Sequence, residues 1–288
     1  MSNLKKRRVN MGKKGNLTLI SGSSGVGKNT VIAQLLEENK DLKLLKSCTS
    51  RAIREDDKLQ EDGKYAYEFL TKEEFEDKIA KGEMLEYDIF SDNYYGISSE
   101  VINDMLKSCK SIIKDITVKG VLSCREKLGK SVNIVSIFLT LQKSKLQQRL
   151  VQRNTKDIKN RMKHYSFEQK SIPLYDYCIY NDDLEATLAK LRAILNHFNN
   201  SEYLIAGENL KKFNENKIEK IASRLKRNKK VKPIKVAEKD GKIYIVSGIN
   251  RYLASVRTNI NVTKVFVDGV EPQQVDVAYW NEMIARQL

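Results

Sequence analysis

The chain has 288 residues, of which 41% are hydrophobic and 31% are charged, and its formal net charge is +15. This length suits two domains, because a single hydrophobic core stops growing before a chain becomes this long, and no apolar run approaches the roughly 20 residues of a membrane helix. Four cysteines without paired spacing and only two histidines argue against a disulfide scaffold, a histidine-rich metal centre and a Ser-His-Asp triad.

The positive charge is concentrated in two segments. Residues 1–15 carry six Lys or Arg and no acid, residues 210–235 carry eleven against two acids, and the other residues sum to zero. The simplest interpretation is a disordered basic leader over residues 1–14 and a solvated helix face, with DNA binding as the alternative. Because no long apolar stretch follows the leader, we expect neither export nor membrane contact, and a cytoplasmic location.

The first predicted element is a short buried strand over residues 17–21, which glycines separate from a helix over residues 30–36. Strand and helix patterns then alternate. Strands are predicted over residues 111–116 and 132–141, and helices over residues 99–106, 144–153 and 182–198. Such alternation predicts an α/β fold in which helices cover a parallel sheet.

A polar cluster at residues 199–202 indicates a linker. We therefore place a domain boundary near residue 200, which gives domains over residues 15–200 and 201–288. The second domain is predicted to be a smaller α+β unit. Its predicted elements are helices over residues 216–227 and 250–257 and strands over residues 231–236, 242–246 and 262–267.

A glycine-rich loop lies between the first strand and the first helix. In such a loop the backbone N–H groups and the helix N-terminus point at phosphate oxygens. Lys28 would bring a positive charge to the transferring phosphoryl group, which makes it a candidate catalytic residue. The hydroxyl expected directly after this lysine comes one residue late, so no metal ligand is assigned. The predicted ATP-binding residues of the loop are Gly22, Ser23, Ser24, Gly25, Val26, Gly27, Lys28, Asn29 and Thr30.

Farther along the chain, arginine and tyrosine side chains suited to a phosphate dianion follow one another at Arg51, Arg54, Tyr67 and Tyr95. With these residues the sequence resembles the guanylate kinase family over about residues 15–198. The resemblance implies a P-loop NTPase sheet with GMP-binding and lid subdomains. It also implies transfer of the ATP γ-phosphate to GMP or dGMP with Mg²⁺, and that these four side chains hold the phosphate of GMP.

The same resemblance implies that Ser47 and Glu86 read the guanine edge. The chemistry agrees, because guanine presents two donors that one carboxylate can accept together and an O6 acceptor for a hydroxyl. Near the next strand, resembling enzymes have two acids two residues apart, and here those positions are Asp115 and Thr117. Both are counted among the GMP-binding residues, and Thr117 leaves base selectivity and affinity open to change.

The resemblance places the arginines of a mobile lid at Arg149, Arg153 and Arg161, which would be catalytic together with Lys28 and Arg51. It also implies an adenine-side contact at Asn181. Since the acceptor is an already ionised phosphate oxygen, such a reaction needs alignment and charge neutralisation rather than a strong base. A nonenzymatic nucleotide sensor or a DNA-associated regulator with the same fold is the alternative.

Residues 201–288 resemble a ParB/sulfiredoxin-type domain, through Val231-Lys-Pro-Ile-Lys-Val236 and the run Gly248-Ile-Asn-Arg251. The resemblance implies that Gly248 and Arg251 form a phosphate site at the start of a helix. Ile249 and Asn250 stand where sulfiredoxin has its cysteine, so redox repair is not expected. A nucleotide, DNA or a protein stays open as the partner, and an ordinary turn glycine with a solvated arginine is the alternative interpretation.

Overall fold

The computed structural model describes residues 15–53, 67–90, 92–108, 111–152, 158–200, 204–207, 213–272, 280 and 284. They form two compact units, one from residues 21–31 and the described residues beyond 134, the other from residues 15–20 and the described residues between 32 and 134. The basic leader, Arg54 and Arg153 lie outside the described residues. None of the described helices is long and apolar enough to cross a membrane.

The unit of residues 15–20 and 32–134 contains two sheets. In the first sheet the central strand is β7 (Ser111–Asp115). It pairs in parallel with β1 (Asn16–Gly22) on one side and with β2 (Leu42–Leu44) on the other. The second has the order β4 (Tyr67–Phe69), β3 (Ser47–Thr49), β6 (Asn93–Ser98), β5 (Met84–Phe90). The helices are α1 (Lys28–Glu38), which begins in the other unit, α2 (Lys72–Ala80), α3 (Ser99–Ser108) and α4 (Val118–Leu128).

The first sheet of this unit is buried through the apolar residues of its strands. Leu17, Leu19 and Ile20 of β1 have no exposed surface, and Ile112 and Ile113 of β7 are equally buried. Strands covered on both faces are continuous apolar runs rather than alternating patterns. The prediction of a buried strand followed by a loop and a helix is therefore confirmed.

The other unit is built on six strands in the order β10, β12, β11, β13, β9, β8. Pairing within this sheet is parallel except between β11 and β12, which form a hairpin. The strands are β8 (Asn133–Thr140), β9 (Tyr177–Tyr180), β10 (Ile205–Ala206), β11 (Ile234–Lys239), β12 (Lys242–Ser247) and β13 (Lys264–Phe266). The helices are α5 (Lys143–Gln152), α6 (Ile158–Lys170), α7 (Leu184–Asn200), α8 (Glu215–Lys226) and α9 (Ile249–Thr258).

The sheet of this unit does not stop at the boundary predicted near residue 200. Strand β13 pairs in parallel with β9, with Lys264 opposite Tyr177 and Val265 opposite Cys178. Lys190, a buried lysine of α7, forms an ion pair with Asp268, which lies just beyond β13. The segment after residue 200 is thus joined to the preceding one through both strand pairing and a helix contact. Its status as a separate domain stays a prediction.

Two predicted boundaries are corrected by the structure. The strand expected over residues 231–236 begins at Ile234, because Pro233 has no backbone N–H and cannot donate a hydrogen bond to a neighbouring strand. Asn199 and Asn200, expected in the linker, are the last residues of α7. Their polar side chains suit an exposed helix end as well as a loop, so composition alone could not separate the two cases.

The fold generates a first prediction at Trp280, whose side chain has no exposed surface. Its Nε1 donates to the carbonyl of Leu204 at 2.7 Å, and its ring stacks on Tyr252 with centroids 6.3 Å apart. Trp280→Ala should lower the free energy of unfolding by about 3–5 kcal/mol, because it leaves a cavity and an unpaired carbonyl. Scanning calorimetry should show a Tm at least ~6 °C lower. Trp280→Phe, which keeps a ring and loses the donor, should show a smaller loss, and equal losses would contradict the packing contribution.

Candidate functional site

The glycine loop, residues 22–28, needs backbone conformations that only glycine adopts readily. Gly22, Gly25 and Gly27 have φ angles of +145°, +86° and +103°. A Cβ atom on Gly22 would lie 2.2 Å from the carbonyl oxygen of Leu139, at the end of β8, so no other residue fits there without a backbone shift. The sequence therefore forces a tight turn in front of α1, a position at which a helix N-terminus favours an anion.

Lys28 lies folded onto this loop. Its Nζ donates to the carbonyl oxygens of Gly22 at 2.6 Å and Ser23 at 3.3 Å. The hydroxyl of Ser23 is buried and has no hydrogen-bond partner among the described residues. A buried unpaired hydroxyl costs about 1–3 kcal/mol, and a phosphate oxygen bound in the loop would provide the missing partner. The loop thus fits a phosphate group.

Three of the predicted side chains from outside the loop contact it. The amide of Asn181, a residue only 4% exposed, donates to the Val26 carbonyl at 2.7 Å. Arg149 donates to the Val26 carbonyl at 3.4 Å and to the Asn181 carbonyl at 2.9 Å, and the Arg161 guanidinium donates to the hydroxyl of Ser24. The structure therefore joins Asn181 to the loop backbone, and its predicted contact with adenine stays a prediction.

The first turn of α1 holds the last two residues of the predicted ATP set. Asn29 and Thr30 are both exposed there. Across the described residues, no three His, Cys, Asp or Glu side chains are grouped as a protein-bound metal would require. Mg²⁺ often keeps several waters and binds through nucleotide phosphates, so a loop that offers neutral hydroxyls still fits it.

A second group of predicted residues lies in the four-stranded sheet. Strand β3 places Ser47 opposite Tyr67 of β4 and Thr49 opposite Tyr95 of β6. Arg51, which follows β3 and is 8% exposed, lies with its guanidinium carbon 5.2 Å from the ring centroid of Tyr67. The structure thus places Ser47, Tyr67 and Tyr95 on neighbouring strands and Arg51 directly after the first of them, and their predicted contacts with GMP stay predictions.

The arrangement around Arg51 suits an anion. Its guanidinium also lies 5.2 Å from the ring centroid of Phe69, and the Tyr67 and Tyr95 rings meet edge to face at 6.4 Å. Stacking uses the face of a guanidinium, whereas its N–H donors point outward in the plane of the group. The aromatic contacts therefore hold the guanidinium through its faces, while its Nη1 donates in the plane to the Ala52 carbonyl at 2.9 Å.

Glu86 lies on β5 of the same sheet and has an unusual environment. Burial raises its pKa to about 7; Lys114 and, more weakly, Lys119 and Lys127 oppose this shift, while Asp88 adds to it. One carboxylate oxygen would be 3.1 Å from a Cβ atom on Gly120 of α4, so glycine leaves the carboxylate room. A partly buried carboxylate of this kind is expensive to ionise and is well suited to a ligand that donates hydrogen bonds.

Two lysines of α4 hold the strand on either side of Glu86. Lys127 Nζ donates to the Leu85 carbonyl at 2.5 Å, and Lys119 Nζ donates to the Tyr87 carbonyl at 3.0 Å. The strand is irregular at this point, with a shift of register between Met84 and Glu86. The lysines therefore fix an irregular strand while their charges favour the ionised carboxylate. Neither lysine stands out in the sequence, because exposed lysines on a helix are typical of a solvated face.

Asp115 and Thr117 have well-defined local partners. The Asp115 carboxylate forms an ion pair with Lys114, a lysine only 7% exposed. Thr117 is the N-cap of α4, and its hydroxyl oxygen accepts a hydrogen bond from the Gly120 amide at 3.2 Å. A threonine at the N-cap satisfies an otherwise unpaired helix amide. Thr117 thus positions the helix that carries the two lysines next to Glu86.

Comparison with known protein families identifies the family to which this chain belongs. The family model described as "Guanylate kinase" matches residues 14–198. The chain belongs to the guanylate kinase family. The resemblance predicted for this region is therefore confirmed, whereas the one predicted for residues 201–288 lies beyond the match.

Individual guanylate kinases agree with this assignment. A protein named guanylate kinase from Lactiplantibacillus plantarum is 37% identical over 190 residues, which span 64% of this chain and 89% of the relative. Another from Campylobacter jejuni strain RM1221 is 38% identical over 186 residues, 63% of this chain and 88% of the relative. The crystal structure of guanylate kinase from Anaplasma phagocytophilum has a TM-score of 0.50 at 27% identity, covering 64% of this chain and 86% of that one. The predicted α/β fold with a mostly parallel sheet is confirmed.

The burial of Glu86 gives a second prediction, for stability. Its folded-state pKa of about 7 lies above the ordinary 4.5, so the stability that its neutral form contributes is lost as the pH rises from about 4.5 to 7. Glu86→Gln removes this loss. Relative to the wild type, the variant should therefore gain on the order of 2 kcal/mol between pH 5 and pH 8, seen as a Tm gain of about 4 °C.

The control for this measurement is Glu126→Gln, which makes the same charge change at an exposed position of α4. Its Tm relative to the wild type should not rise over this range as that of Glu86→Gln does. A parallel rise in both variants would mean that overall charge, rather than the burial of Glu86, is responsible.

Proposed function

We propose that this protein transfers the γ-phosphoryl group of ATP to GMP or dGMP, giving ADP and GDP or dGDP. The observation that carries the proposal is that one four-stranded sheet of a guanylate kinase family member carries a partly buried carboxylate, Glu86, and is followed after β3 by an arginine held over aromatic rings, Arg51. The arginine suits a phosphate dianion, and the carboxylate accepts the two donors of a guanine edge.

On the ATP side, the loop surrounds the phosphates with residues Gly22, Ser23, Ser24, Gly25, Val26, Gly27, Lys28, Asn29 and Thr30. Lys28 exchanges its loop carbonyls for phosphate oxygens and neutralises charge as the phosphoryl group moves. Arg149, Arg153 and Arg161 act as the lid arginines, and Asn181 lies on the adenine side. Mg²⁺ bound with ATP supplies charge neutralisation at the phosphates; phosphate oxygens and water would hold it, and the exposed hydroxyl of Thr30 lies one residue beyond the usual position of a loop ligand.

On the acceptor side, Arg51, Arg54, Tyr67 and Tyr95 hold the phosphate of GMP, and Ser47 and Glu86 read guanine. Asp115 and Thr117 complete the set. Asp115 is held by its ion pair with Lys114, and Thr117 caps α4. Because the acceptor oxygen is already ionised, no side chain has to remove a proton. The residues named here act by alignment, by charge neutralisation and by excluding water that would hydrolyse ATP.

The activity belongs in the cytoplasm, where ATP and GMP are found and where the buried thiols of Cys48, Cys124 and Cys178 stay reduced. The nonenzymatic alternative is less well supported, because Lys28 and Arg51 are both present and both lie in groups of side chains that suit phosphate.

For residues 201–288 we propose a ParB/sulfiredoxin-like α+β domain with a phosphate site at Gly248 and Arg251. Gly248 has a φ angle of +112° at the N-cap of α9, and the Arg251 guanidinium folds across this turn to donate to the Pro233 carbonyl at 2.5 Å. The turn therefore combines a helix N-terminus with a guanidinium, which suits a nucleotide phosphate. A nucleotide is the favoured small-molecule ligand of this turn.

The decisive test of the kinase proposal is ADP formation from ATP and Mg²⁺ with GMP, dGMP, AMP, CMP and UMP in parallel. GMP or dGMP should support turnover and the other monophosphates should not. Arg51→Ala should lower kcat/KM for GMP by about 100-fold, since it removes charge-assisted hydrogen bonds worth roughly 3 kcal/mol. Arg192→Ala, at an exposed arginine of α7, is the control. Absence of turnover with every monophosphate would favour the nucleotide sensor.

A further prediction concerns pH and the guanine contact. Guanine needs the ionised form of Glu86, whose pKa is about 7, so the KM for GMP should fall about 4-fold between pH 6.5 and 8.5. Glu86→Gln should weaken GMP binding and remove this dependence, which separates it from titration of the GMP phosphate itself. Lys127→Met removes a charge that lowers the pKa of Glu86, so the midpoint of the KM profile should move to higher pH.

Lys130→Met is the matched control for Lys127→Met, because Lys130 is exposed just beyond α4. It should leave the midpoint of the KM profile in place. A midpoint that does not respond to Lys127→Met, or that responds equally to both variants, would rule out the proposed contribution of Lys127 to the ionisation of Glu86.

A further inference from the structure

A dense group of basic side chains covers α8 and the segment that leads into β11. Between residues 217 and 235, nine Lys or Arg side chains are exposed and only one acid, Glu219, is present. We call these nine side chains the basic face; they are Lys217, Lys220, Arg224, Lys226, Arg227, Lys229, Lys230, Lys232 and Lys235. None of them has a role in the proposed kinase reaction.

The charges of the basic face are not neutralised locally. None of its nine side chains forms a salt bridge with a carboxylate among the described residues, and Glu215 at the start of α8 is paired with Arg257 of α9 instead. Arg224 donates to the Lys230 carbonyl at 2.8 Å, which ties the segment after α8 back onto the helix. Close like charges repel one another, so such a cluster favours a polyanionic partner.

The helix presents these charges in an ordered way. Ile218, Ala222 and Leu225 are buried and form its apolar side, and α8 packs against α9. Lys217, Lys220, Arg224 and Arg227 follow at intervals of three, four and three residues, which places them in one stripe on the side away from the buried residues. The stripe is about 15 Å long at the rise of an α-helix.

The composition of the face narrows the class of partner. Residues 214–236 contain no aromatic side chain, so unpaired bases would find nothing on which to stack. The apolar side of α8 is already buried, so the helix has no face left to insert into a lipid surface. A regular array of phosphates binds through charge alone, so it needs neither an aromatic side chain nor an exposed apolar surface.

We propose that the basic face binds the phosphate backbone of double-stranded nucleic acid without reading its sequence. This replaces the interpretation of the segment as a merely solvated helix face. The proposal is independent of the kinase activity, because none of its residues belongs to the ATP or GMP group. A kinase of guanine nucleotides would thereby be retained on a nucleic acid.

The test uses the full-length protein and fluorescence anisotropy with a labelled 24-base-pair duplex of arbitrary sequence. Four stripe residues imply a slope of about −3.6 for the logarithm of the binding constant against the logarithm of the salt concentration. Binding should therefore weaken by about 150-fold between 50 and 200 mM salt. A second duplex of unrelated sequence should bind within about 3-fold of the first, since phosphate contacts carry no base information.

The triple variant Lys217→Glu, Lys220→Glu, Arg224→Glu should weaken duplex binding at least ~30-fold and reduce the salt slope. A second triple variant with Gln at the same positions should give a smaller loss in the same direction. The matched control reverses three exposed lysines elsewhere, Lys43, Lys72 and Lys130, so that the net charge changes equally. Kinase activity and Tm, measured on each sample, establish that the variants are folded.

Several outcomes would overturn the proposal. These are no measurable binding of either duplex at 50 mM salt, tighter binding of the matching single strand, and binding to phosphatidylserine vesicles in place of the duplex. Equal weakening by the control triple variant would also count against it, because net charge and not this face would then be the cause. Since kinase turnover is measured separately, its absence would count against the enzyme proposal alone.

Discussion

The structure depends on the close approach of the loop backbone to the end of β8. A Cβ atom at Gly22 would lie 2.2 Å from the carbonyl oxygen of Leu139, so only glycine fits at this turn. This contact fixes where the loop begins, and the Asn181 amide fixes its middle by holding the Val26 carbonyl. Lys28, Arg149 and Arg161 have defined positions only because the backbone beneath them is constrained at both points.

The two groups of residues proposed to bind nucleotides offer different kinds of contact. The glycine loop uses main-chain amides, whose direction is set by backbone geometry and hardly depends on side-chain identity. The group around Arg51 and Glu86 uses side chains, and each needs its own support: aromatic rings for the guanidinium, and a glycine with two lysines for the carboxylate. Under the proposed function, substrate selectivity would therefore depend on the residues that support these side chains as well, including helix α4 and its cap, Thr117.

Much of this architecture could be predicted from the sequence. The buried strand, the glycine loop and the first helix are encoded within 23 consecutive residues, Asn16–Glu38, whereas strands β3 and β4, of three residues each, carry no comparable local signal. The N-cap at Thr117 also carries a local signal, a threonine directly before an apolar helical run. Long-range contacts have no such signal: the lysines beside Glu86 and the pairing of β9 with β13 join residues about 40 and 90 positions apart. Arg54 and Arg153 fall outside the described residues.

The pairing of β9 with β13 has a consequence for how the two parts of the chain depend on each other. A strand at the edge of a sheet carries a row of unpaired amides and carbonyls that can recruit a strand from another molecule. Here Tyr177 and Cys178 are covered by the chain's own later residues. Truncation after α7 would expose the edge of β9 to pairing with a strand of another molecule. The C-terminal segment therefore contributes to solubility as well as to the binding of any ligand.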